Sequence, residues 1–370
     1  MAGRIVLFGA TGYTGELTAR VLAGLGERPV LAGRNSDRVE ALAEELGGLD
    51  WALADVGGPG GAASVRALLE PGDVLVSTVG PFTRWGAPVV EAALNARAHY
   101  LDSTGESPFI RRVFEDWGPR ARAADVALLT AMGYDWVPGN LAGALALRDA
   151  GPAAVRVEVG YFLTGAGGAG AMSGGTRASA AAVFLEPSFG RRDGRLVTER
   201  SGARARGFVV DGSSRRAVSV GSSEHFGLPA AFPGVRDVDV YLGWFGPASD
   251  LLRAASLGLS AATRVPGVRG LLSEAVARTV RGSTGGPDGD ARSSSGSHVV
   301  AEAQDSGGRV LAMARLEGVN GYDFTAGMLA WGARAAAAGR LQATGALGPV
   351  EAFGLDALTE GVRFAGIERV

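Results

Sequence analysis

The sequence predicts an α/β fold in which a doubly wound parallel sheet carries an inserted α+β domain that contains an antiparallel sheet. Three observations support this prediction. Residues 4–15 read RIVLFGATGYTG, an apolar strand followed by a glycine-rich turn. Apolar runs then alternate with amphipathic segments as far as residue 132, which is typical of a parallel sheet with helices on both faces. From residue 155, segments of alternating apolar and polar residues follow one another, as in an antiparallel sheet.

Apolar runs and helix-start signals define the elements of the first domain in order. The predicted strands are residues 4–8, 29–32, 51–56, 73–79, 99–102 and 126–132. The predicted helices are residues 16–25, 37–46, 64–69, 88–96 and 109–123. We assign residues 1–150 to a Rossmann-type dinucleotide-binding domain, which we expect C-terminal helices within residues 322–370 to complete.

The second domain, residues 151–321, is predicted to bind the substrate or to mediate dimerisation. Its predicted strands are residues 155–163, 206–211, 237–244, 298–305 and 309–318. Residues 250–280 are predicted to form two helices, broken at Pro266-Gly267. Their apolar residues at 251–280 would either pack in the core or form an apolar surface for a lipophilic chain or a partner. Residues 282–297 are predicted to be a mobile loop, and residues 324–338 and 356–363 to be helices.

The glycine-rich turn has the layout of a dinucleotide-phosphate site. Gly9 permits a tight turn, Gly12 lets a pyrophosphate approach the backbone, and Gly15 lets the helix pack close to the strand. The amides that follow lie at a helix N-terminus, where unpaired N–H groups and the helix dipole favour an anion. The cofactor-binding candidates in this turn are Gly9, Thr11, Gly12, Tyr13, Thr14 and Gly15.

The residues after the second strand indicate NADP(H) rather than NAD(H). A carboxylate at this position would bind the ribose 2′-OH, whereas a 2′-phosphate requires a cation. The chain has Arg34, Asn35 and Ser36 there, followed by Arg38 one turn later. The arginine can pair with a phosphate, and its neighbours can donate hydrogen bonds. A solvated arginine followed by a helix cap at Ser36 is the alternative interpretation.

Two further strand ends complete the predicted cofactor site. Asp55 ends the third strand and is expected near the adenine, although a turn aspartate would fit as well. The end of the fourth strand is expected beside the nicotinamide half of the cofactor, where a glycine permits close approach. These residues are Thr78, Val79, Gly80 and Pro81.

Composition excludes several classes of function. The net charge of −2 argues against a nucleic-acid surface. The sequence contains no Cys and no Lys, so thiolate nucleophiles and Schiff-base lysines are excluded. The three histidines (His99, His225 and His298) lie far apart, and no metal site is predicted from their spacing. No apolar run reaches the ~18 residues of a membrane span, and the first strand leaves no room for a signal peptide. We therefore expect a cytoplasmic protein, which the sequence allows to be a homodimer.

Several motifs together resemble the saccharopine dehydrogenase-like oxidoreductases, and most closely their branch of bacterial trans-acting enoyl reductases. The motifs are GATGYTG (9–15), LAGRN (31–35), VSTVGPFTRWG (76–86), YLDSTGE (100–106), GYDWVPGNL (133–141), MSGGTRASA (172–180) and TGALGPVEAFGLDAL (344–358). The resemblance implies an NADP-binding Rossmann domain with an inserted α+β domain, and a cofactor-ribose contact at Arg34. Asn140 stands where the family pattern leads us to expect an aspartate.

The resemblance implies reduction of a C=C bond conjugated to a carbonyl, in a lipophilic or carrier-bound acyl substrate. Tyr134 and Asp135 are the catalytic candidates, and Asp102 and Glu106 are further candidate proton donors near the same sheet edge. Tyr134, or else solvent, would protonate the α-carbon after hydride addition. The alternatives are that Tyr134 packs its ring against the nicotinamide or the core and that Asp135 holds local backbone amides. His225 is expected to be structural.

Two other functions stay open at this point. Imine reduction or saccharopine-type dehydrogenation of an amino acid would need an arginine cluster for its carboxylates, and four arginines of the second domain are candidates. These are Arg177, Arg191, Arg192 and Arg204. A non-catalytic protein is the other alternative, in which the first domain binds a nucleotide and residues 251–280 bind lipid or a protein partner.

Overall fold

The computed structural model describes residues 3–165, 186–244, 249, 253–254, 256–258 and 285–370. Two features predicted from the sequence lie outside this range. They are the MSGGTRASA segment, which includes Arg177, and most of the helical pair at residues 250–280. The described positions 253–254 and 256–258 within that pair are helical.

The chain divides into two compact units. The first unit consists of Met1–Thr104, Phe109–Val137 and Gly321–Gly366. The second unit consists of Gly105–Pro108, Pro138–Asn320 and Ile367–Val370. A parallel sheet of seven strands and a second, mostly antiparallel sheet of nine strands confirm the predicted fold class.

Sixteen strands form the two sheets within the described parts of the chain. In chain order they are β1 (Ile5–Phe8), β2 (Val30–Gly33), β3 (Trp51–Leu53), β4 (Val74–Ser77), β5 (His99–Asp102), β6 (Ala127–Leu129), β7 (Arg156–Gly165), β8 (Pro187–Arg192), β9 (Arg195–Arg200), β10 (Ala205–Val210), β11 (Ser213–Val220), β12 (Asp237–Leu242), β13 (Ser295–Gln304), β14 (Val310–Val319), β15 (Gly345–Ala346) and β16 (Ile367–Arg369).

The described helices are mostly short. In chain order they are α1 (Tyr13–Gly24), α2 (Ser36–Glu45), α3 (Gly61–Arg66), α4 (Phe82–Ala96), α5 (Ser107–Arg112), α6 (Gly118–Ala123), α7 (Val137–Ala150), α8 (Glu224–Ala231), α9 (Gly289–Ser293), α10 (Gly321–Ala337), α11 (Pro349–Phe353) and α12 (Leu355–Phe364). A π-helical turn at Val113–Trp117 joins α5 to α6, and a 3₁₀ turn at Gly151–Ala153 follows α7.

The first sheet has the strand order β15-β6-β5-β4-β1-β2-β3, and every pair in it is parallel. Strand β1 lies between β4 and β2, so the order of the strands reverses beside β1. In such sheets ligands bind at the carboxyl ends of the strands at this switch point. The turns after β1, β2 and β4 therefore meet at one edge.

Several helices of the first unit differ from their predicted bounds. Helix α3 occupies Gly61–Arg66 rather than residues 64–69, and a π-helical turn divides the helix predicted at residues 109–123. Helix α1 begins at Tyr13 rather than residue 16, because Gly12 is its N-cap. Helix α4 begins at Phe82 rather than residue 88, and Pro88 lies inside it. Phe82, Gly86 and Val89 lie on the buried face of this helix. Their packing in the core explains why the helix begins before Pro88, the residue at which the sequence predicted its start.

The second sheet has the order β10-β11-β12-β7-β13-β14-β16, with β8 joined to β12 and β9. Its strands are antiparallel except for the pair β12–β7, which is parallel. An apolar cluster that includes Phe162, Phe208 and Tyr241 forms part of its core. The mobile loop predicted at residues 282–297 is wrong for its described part. Asp288 caps helix α9 by accepting a hydrogen bond from Ala291 N (2.9 Å), and β13 begins at Ser295.

The β1–α1 turn is closely packed, and glycine is required at two positions. Gly9 has φ +89°, in the left-handed region that favours glycine. A Cβ atom at Gly15 would lie 2.1 Å from the carbonyl oxygen of Gly9 and 2.8 Å from Thr78 Oγ1. Helix α1 can therefore approach the end of β1 only because residue 15 has no side chain.

Replacing Gly15 by alanine is expected to destabilise the protein by about 2 kcal/mol or more, because the new methyl group overlaps backbone that cannot move freely. Gly24→Ala is the matched control, since position 24 belongs to the same helix and a Cβ there meets nothing within 4 Å. We expect the control to stay within about 0.5 kcal/mol of the wild type or to be stabilising. Urea denaturation measures both variants, and equal losses of stability would contradict the packing argument.

Candidate functional site

The N-terminus of α1 is open to an anion. Gly12 caps the helix with an extended backbone (φ −80°, ψ 162°) and, as a glycine, has no side chain to bond the first amides of the helix. A Cβ built on Gly12 meets only Gly9 O, at 3.3 Å, so the space in front of this residue is otherwise clear. Thr11, Tyr13 and Thr14 are half-buried around it. These features fit the diphosphate of a dinucleotide.

The end of β4 holds the glycine turn in place. Thr78 Oγ1 donates to the carbonyl oxygens of Phe8 (3.2 Å) and Gly9 (3.1 Å), and Thr78 N also donates to Phe8 O (3.0 Å). The chain then passes through the half-buried Val79 and the exposed Gly80 to Pro81, across a cis peptide bond. Thr78 thus supports the turn, and residues 79–81 lie at the same sheet edge.

Arg34 is an unpaired cation at the end of β2. It is exposed, and within the described part of the chain its guanidinium forms no hydrogen bond or ion pair. The cap of α2 is Asn35 rather than Ser36, because Asn35 Oδ1 accepts a hydrogen bond from Arg38 N at 3.0 Å. The Asn35 amide nitrogen is left as a donor, and Ser36 Oγ donates to Asp37 Oδ1 at 3.0 Å.

Arg38 connects α2 to the glycine turn. Its guanidinium donates to the carbonyl oxygen of Thr11 at 2.9 Å, although residues 11 and 38 belong to different strand–helix units. Two arginines, Arg34 and Arg38, therefore lie beside the β1–α1 turn. The sequence predicted that Arg38 lies one turn into the helix, but it did not indicate the hydrogen bond from Arg38 to Thr11.

Asp55, after β3, and Trp85, in the first turn of α4, both lie beside Gly57. Asp55 Oδ1 accepts from Gly57 N (2.9 Å), and Asp55 N donates to Ser64 Oγ (3.1 Å), so this side chain holds its own turn. A Cβ on Gly57 would lie 3.1 Å from the Trp85 ring, and the Arg84 guanidinium lies 4.4 Å from the centroid of that ring. Trp85 was not among the residues predicted for the site, and its position shortly after Gly80-Pro81 is the one sequence signal that could have indicated it.

Asp102 is a structural carboxylate at the end of β5. It is completely buried and accepts hydrogen bonds from Thr104 N (2.9 Å), Ala131 N (2.9 Å) and Thr130 Oγ1 (2.9 and 3.1 Å). Burial raises its pKa to about 6, while these hydrogen bonds act in the opposite direction. Because its oxygens already bind the turn after β6, Asp102 is a poor candidate for a proton donor.

The segment after β6 is irregular and brings Asp135 to the sheet edge. Ala131 has φ +62°, a left-handed conformation that costs a non-glycine residue about 1 kcal/mol. The Asp135–Trp136 peptide bond is cis. Trp136 N donates to Ala131 O, and Val137 N donates to Gly133 O, both at 3.0 Å, which closes this segment on itself.

Asp135 has an unsatisfied carboxylate oxygen. The residue is half-buried, but its Oδ1 atom is enclosed and accepts no hydrogen bond from the described residues. Burial raises the pKa of this carboxyl to about 7. Asp135 is therefore close to half-protonated at neutral pH, the property expected of a group that exchanges a proton.

The first turn of α10 packs against both Tyr134 and the glycine turn. Tyr134 N donates to Thr325 Oγ1 at 3.0 Å, and a Cβ on Gly321 would lie 3.1 Å from the Tyr134 ring. The ring of Tyr322 packs edge-on against that of Tyr13, with a centroid distance of 5.1 Å. Tyr134 is 4% exposed, so its ring belongs to the core of the first unit.

Two of the arginines proposed to bind substrate carboxylates are already paired within the second unit. Arg192 forms an ion pair with Asp239, and Arg204 pairs with Asp239 and with Glu199. Arg191 is half-buried, burial lowers its pKa, and its guanidinium donates to the carbonyl oxygen of His225 at 3.4 Å. Pairing with internal carboxylates leaves Arg192 and Arg204 little capacity for an external anion.

The other titratable candidates lie in the second unit. His225 is buried, its ring packs edge-on against Phe189, and its Nδ1 lies 3.1 Å from Ser222 Oγ. Burial lowers the pKa of His225 to about 4, so the ring is neutral at physiological pH. Glu106 is also buried, with 1% exposure. Asn140 Nδ2 donates to Ser223 Oγ at 3.0 Å, and this position carries no charge.

The unusual protonation of Asp135 gives a pH-dependent contribution to stability. A carboxyl whose pKa rises from about 4 in the unfolded chain to about 7 in the folded protein binds its proton more tightly when folded. The stabilisation that this tighter proton binding adds to the free energy of unfolding is fully present below pH 4 and is lost as pH rises through 7.

We therefore expect Asp135→Asn to gain stability relative to the wild type between pH 5 and pH 8, by about 1–2 kcal/mol, a value reduced because the residue is partly exposed. Urea denaturation at both pH values measures the difference. Parallel pH profiles for the two proteins would show that Asp135 ionises normally.

Comparison with known proteins agrees with this geometry. Residues 5–128 match the family model of the saccharopine dehydrogenase NADP-binding domain. The chain is 40% identical over 143 residues to a Mycobacterium tuberculosis protein provisionally named as a trans-acting enoyl reductase. This match covers 37% of this chain and 33% of that protein. It is 38% identical over 143 residues to a trans-acting enoyl reductase of Mycobacterium ulcerans, covering 37% and 34%.

Two solved structures share the fold over the whole chain. Saccharopine dehydrogenase (L-Glu forming) of Saccharomyces cerevisiae has a TM-score of 0.59 at 14% identity and covers 100% of both chains. Homospermidine synthase of Legionella pneumophila, solved in complex with NAD, has a TM-score of 0.58 at 10% identity and covers 100% of this chain and 92% of that one.

The match spans about a third of the length of the enoyl reductase relatives. Within the described residues, no helix is long and apolar enough to cross a membrane. The resemblance found in the motifs and the predicted cofactor, NADP(H), are both confirmed by the family model. Residues 5–128 are therefore similar to the NADP-binding domain of saccharopine dehydrogenases.

Proposed function

We propose that this protein is an NADPH-dependent oxidoreductase that reduces an activated C=C bond in a lipophilic or carrier-bound acyl substrate. The observation that carries the proposal is the 40% identity, over 143 residues, to a protein provisionally named as a trans-acting enoyl reductase. The match of residues 5–128 to an NADP-binding domain supports the cofactor. Enoyl reduction adds a hydride to the β-carbon and a proton to the α-carbon. The residues needed are those that bind the cofactor and one that holds a proton.

The cofactor residues of this chain fit NADPH. The amides at the start of α1 would bind the diphosphate, and Arg34 would pair with the 2′-phosphate, with the Asn35 amide as a further donor. Arg38 reinforces the positive charge beside this position and holds the glycine turn through Thr11. When bound, NADPH supplies the hydride.

Asp135 is the proposed proton donor. Its pKa of about 7 leaves a substantial fraction of the carboxyl protonated at neutral pH, and its enclosed Oδ1 has no partner among the described residues. Tyr134 was the other catalytic candidate, and we propose that it positions Asp135, because its ring is buried and its amide is fixed by Thr325. This assignment favours the carboxyl over the phenol as the group that protonates the α-carbon.

Imine reduction is the principal alternative, since it would use the same cofactor and proton donor. Against it stands the pairing of Arg192 and Arg204 with internal carboxylates, which removes two of the cations that an amino-acid substrate would need. A protein that binds NADPH without catalysis is the other alternative. Substrate assays distinguish the three functions.

Arg34→Ala is expected to weaken NADPH binding about 10–100-fold, because the 2′-phosphate loses a charge-assisted hydrogen bond in a solvent-accessible site. NADH binding should change less than about threefold, since NADH lacks that phosphate. Fluorescence titration with both nucleotides measures the effect.

Arg28→Ala is the matched control, because Arg28 precedes the same strand at its opposite end, where its guanidinium donates to Gly48 O. Its affinity for both nucleotides should equal that of the wild type. Loss of NADH and NADPH binding to the same extent in Arg34→Ala would contradict a role in phosphate recognition.

The catalytic proposal predicts NADPH oxidation in the presence of an enoyl thioester and none with imines of amino acids. Asp135→Asn should lower kcat about 100-fold while leaving NADPH affinity unchanged. Because the acid must be protonated, the wild-type kcat should fall as pH rises through about 7, and the residual rate of the variant should lack this dependence.

Asp116→Asn, on the exposed π-helical turn, serves as the control and should match the wild type. Turnover of imines in preference to enoyl thioesters would assign the alternative reaction. Tight NADPH binding without turnover of either class would overturn the catalytic proposal.

A further inference from the structure

Three potential metal ligands meet on the second sheet, outside the residues assigned to the reductase chemistry. They are Asp211, in the turn between β10 and β11, His298 on β13, and Glu317 on β14. One ligand atom from each side chain lies within 4.8 Å of the other two. His298 and Glu317 are direct partners in the β13–β14 register, so their side chains share one face of the sheet.

His298 is an unusual buried histidine. It is 2% exposed, and neither ring nitrogen forms a hydrogen bond with the described residues. Its Nδ1 lies 2.9 Å from Glu317 Oε1, a close contact that is not aligned as a hydrogen bond. The other two histidines differ: His99 Nδ1 accepts from Ala127 N at 3.0 Å, and His225 contacts Ser222. An imidazole enclosed beside carboxylates without hydrogen-bond partners is suited to binding a cation.

The surrounding charges favour a cation but do not leave the carboxylates entirely free. Glu368 on β16 is the direct partner of Glu317, which places a second carboxylate in the cross-strand row that contains His298 and Glu317. Arg215 donates to Asp211 Oδ2 at 3.1 Å and, through its other terminal nitrogen, to Leu163 O. Asp211 is exposed, so this ion pair is readily exchanged for a stronger ligand.

We propose that Asp211, His298 and Glu317 bind one divalent transition-metal ion, with Zn²⁺ as the best-matched ion. Zn²⁺ binds imidazole nitrogen and carboxylate oxygen, and three protein ligands leave a fourth position for water. Ligands at about 2.0–2.2 Å from the ion lie roughly 3–4 Å apart, so small side-chain rotations would suffice to close the site. The bound ion would fasten the β10–β11 turn to the β13–β14 hairpin.

The chain offers little competition for this ion. It has no cysteine and only two other histidines, both of which have hydrogen-bond partners. Isothermal titration of tag-free protein with ZnCl₂ should therefore detect one site per chain with a micromolar dissociation constant, and saturating Zn²⁺ should raise Tm. Excess MgCl₂ should not compete, because Mg²⁺ prefers all-oxygen octahedral sites.

Glu317→Gln and Asp211→Asn should each weaken Zn²⁺ binding at least tenfold and abolish the rise in Tm. Asp211 is exposed, so its variant keeps the test valid if changes beside the buried histidine disturb folding. Glu115→Gln, on a helix of the first unit, is the control and should bind as the wild type does. Absence of Zn²⁺ binding to the wild type, or wild-type affinity in folded Asp211→Asn and Glu317→Gln, would overturn the proposal.

Discussion

The geometry of the sheet edge that carries the proposed cofactor site depends on the packing of the first turn of α10. This turn packs Tyr322 against Tyr13 at the glycine turn, and it packs Gly321 and Thr325 against Tyr134 beside Asp135. A Cβ atom at residue 321 would lie only 3.1 Å from the Tyr134 ring, so a glycine at this position favours the close approach. Helix α10, from the C-terminal part of the chain, thereby fixes the glycine turn and the segment around Asp135 relative to each other.

Two aspartates of the first unit show how surroundings assign different roles to the same residue type. Asp102 and Asp135 both have a raised pKa because burial disfavours the charged carboxylate. Asp102 receives hydrogen bonds from backbone amides and Thr130, which offset part of that cost and fix it as a structural anchor. Asp135 has no such donors at Oδ1, so its pKa is higher and its proton remains available.

The predicted bounds of helices and strands match the structure where the local pattern of apolar and polar residues agrees with their burial. Strand β5 has its predicted bounds, and β1 and α2 lie within one residue of theirs. Helix α7 was missed because it is buried almost all round, from Val137 through Leu147, and therefore lacks an amphipathic period. The strands β8 and β9 were missed because charged residues interrupt their alternation. In the structure Arg192 of β8 pairs with Asp239, and Glu199 of β9 pairs with Arg204.

The sequence by itself determined the parallel sheet and the glycine turn, because both are properties of contiguous residues. It also indicated the NADP-type cofactor, because no acidic residue lies between the second strand and Asp37. Only the tertiary structure decided which polar groups are free. It showed that Arg34 is unpaired among the described residues, that Arg204 is paired, and that Asp135 is enclosed without a hydrogen bond at Oδ1. Pairing and burial depend on residues far apart in the chain, which no local pattern encodes.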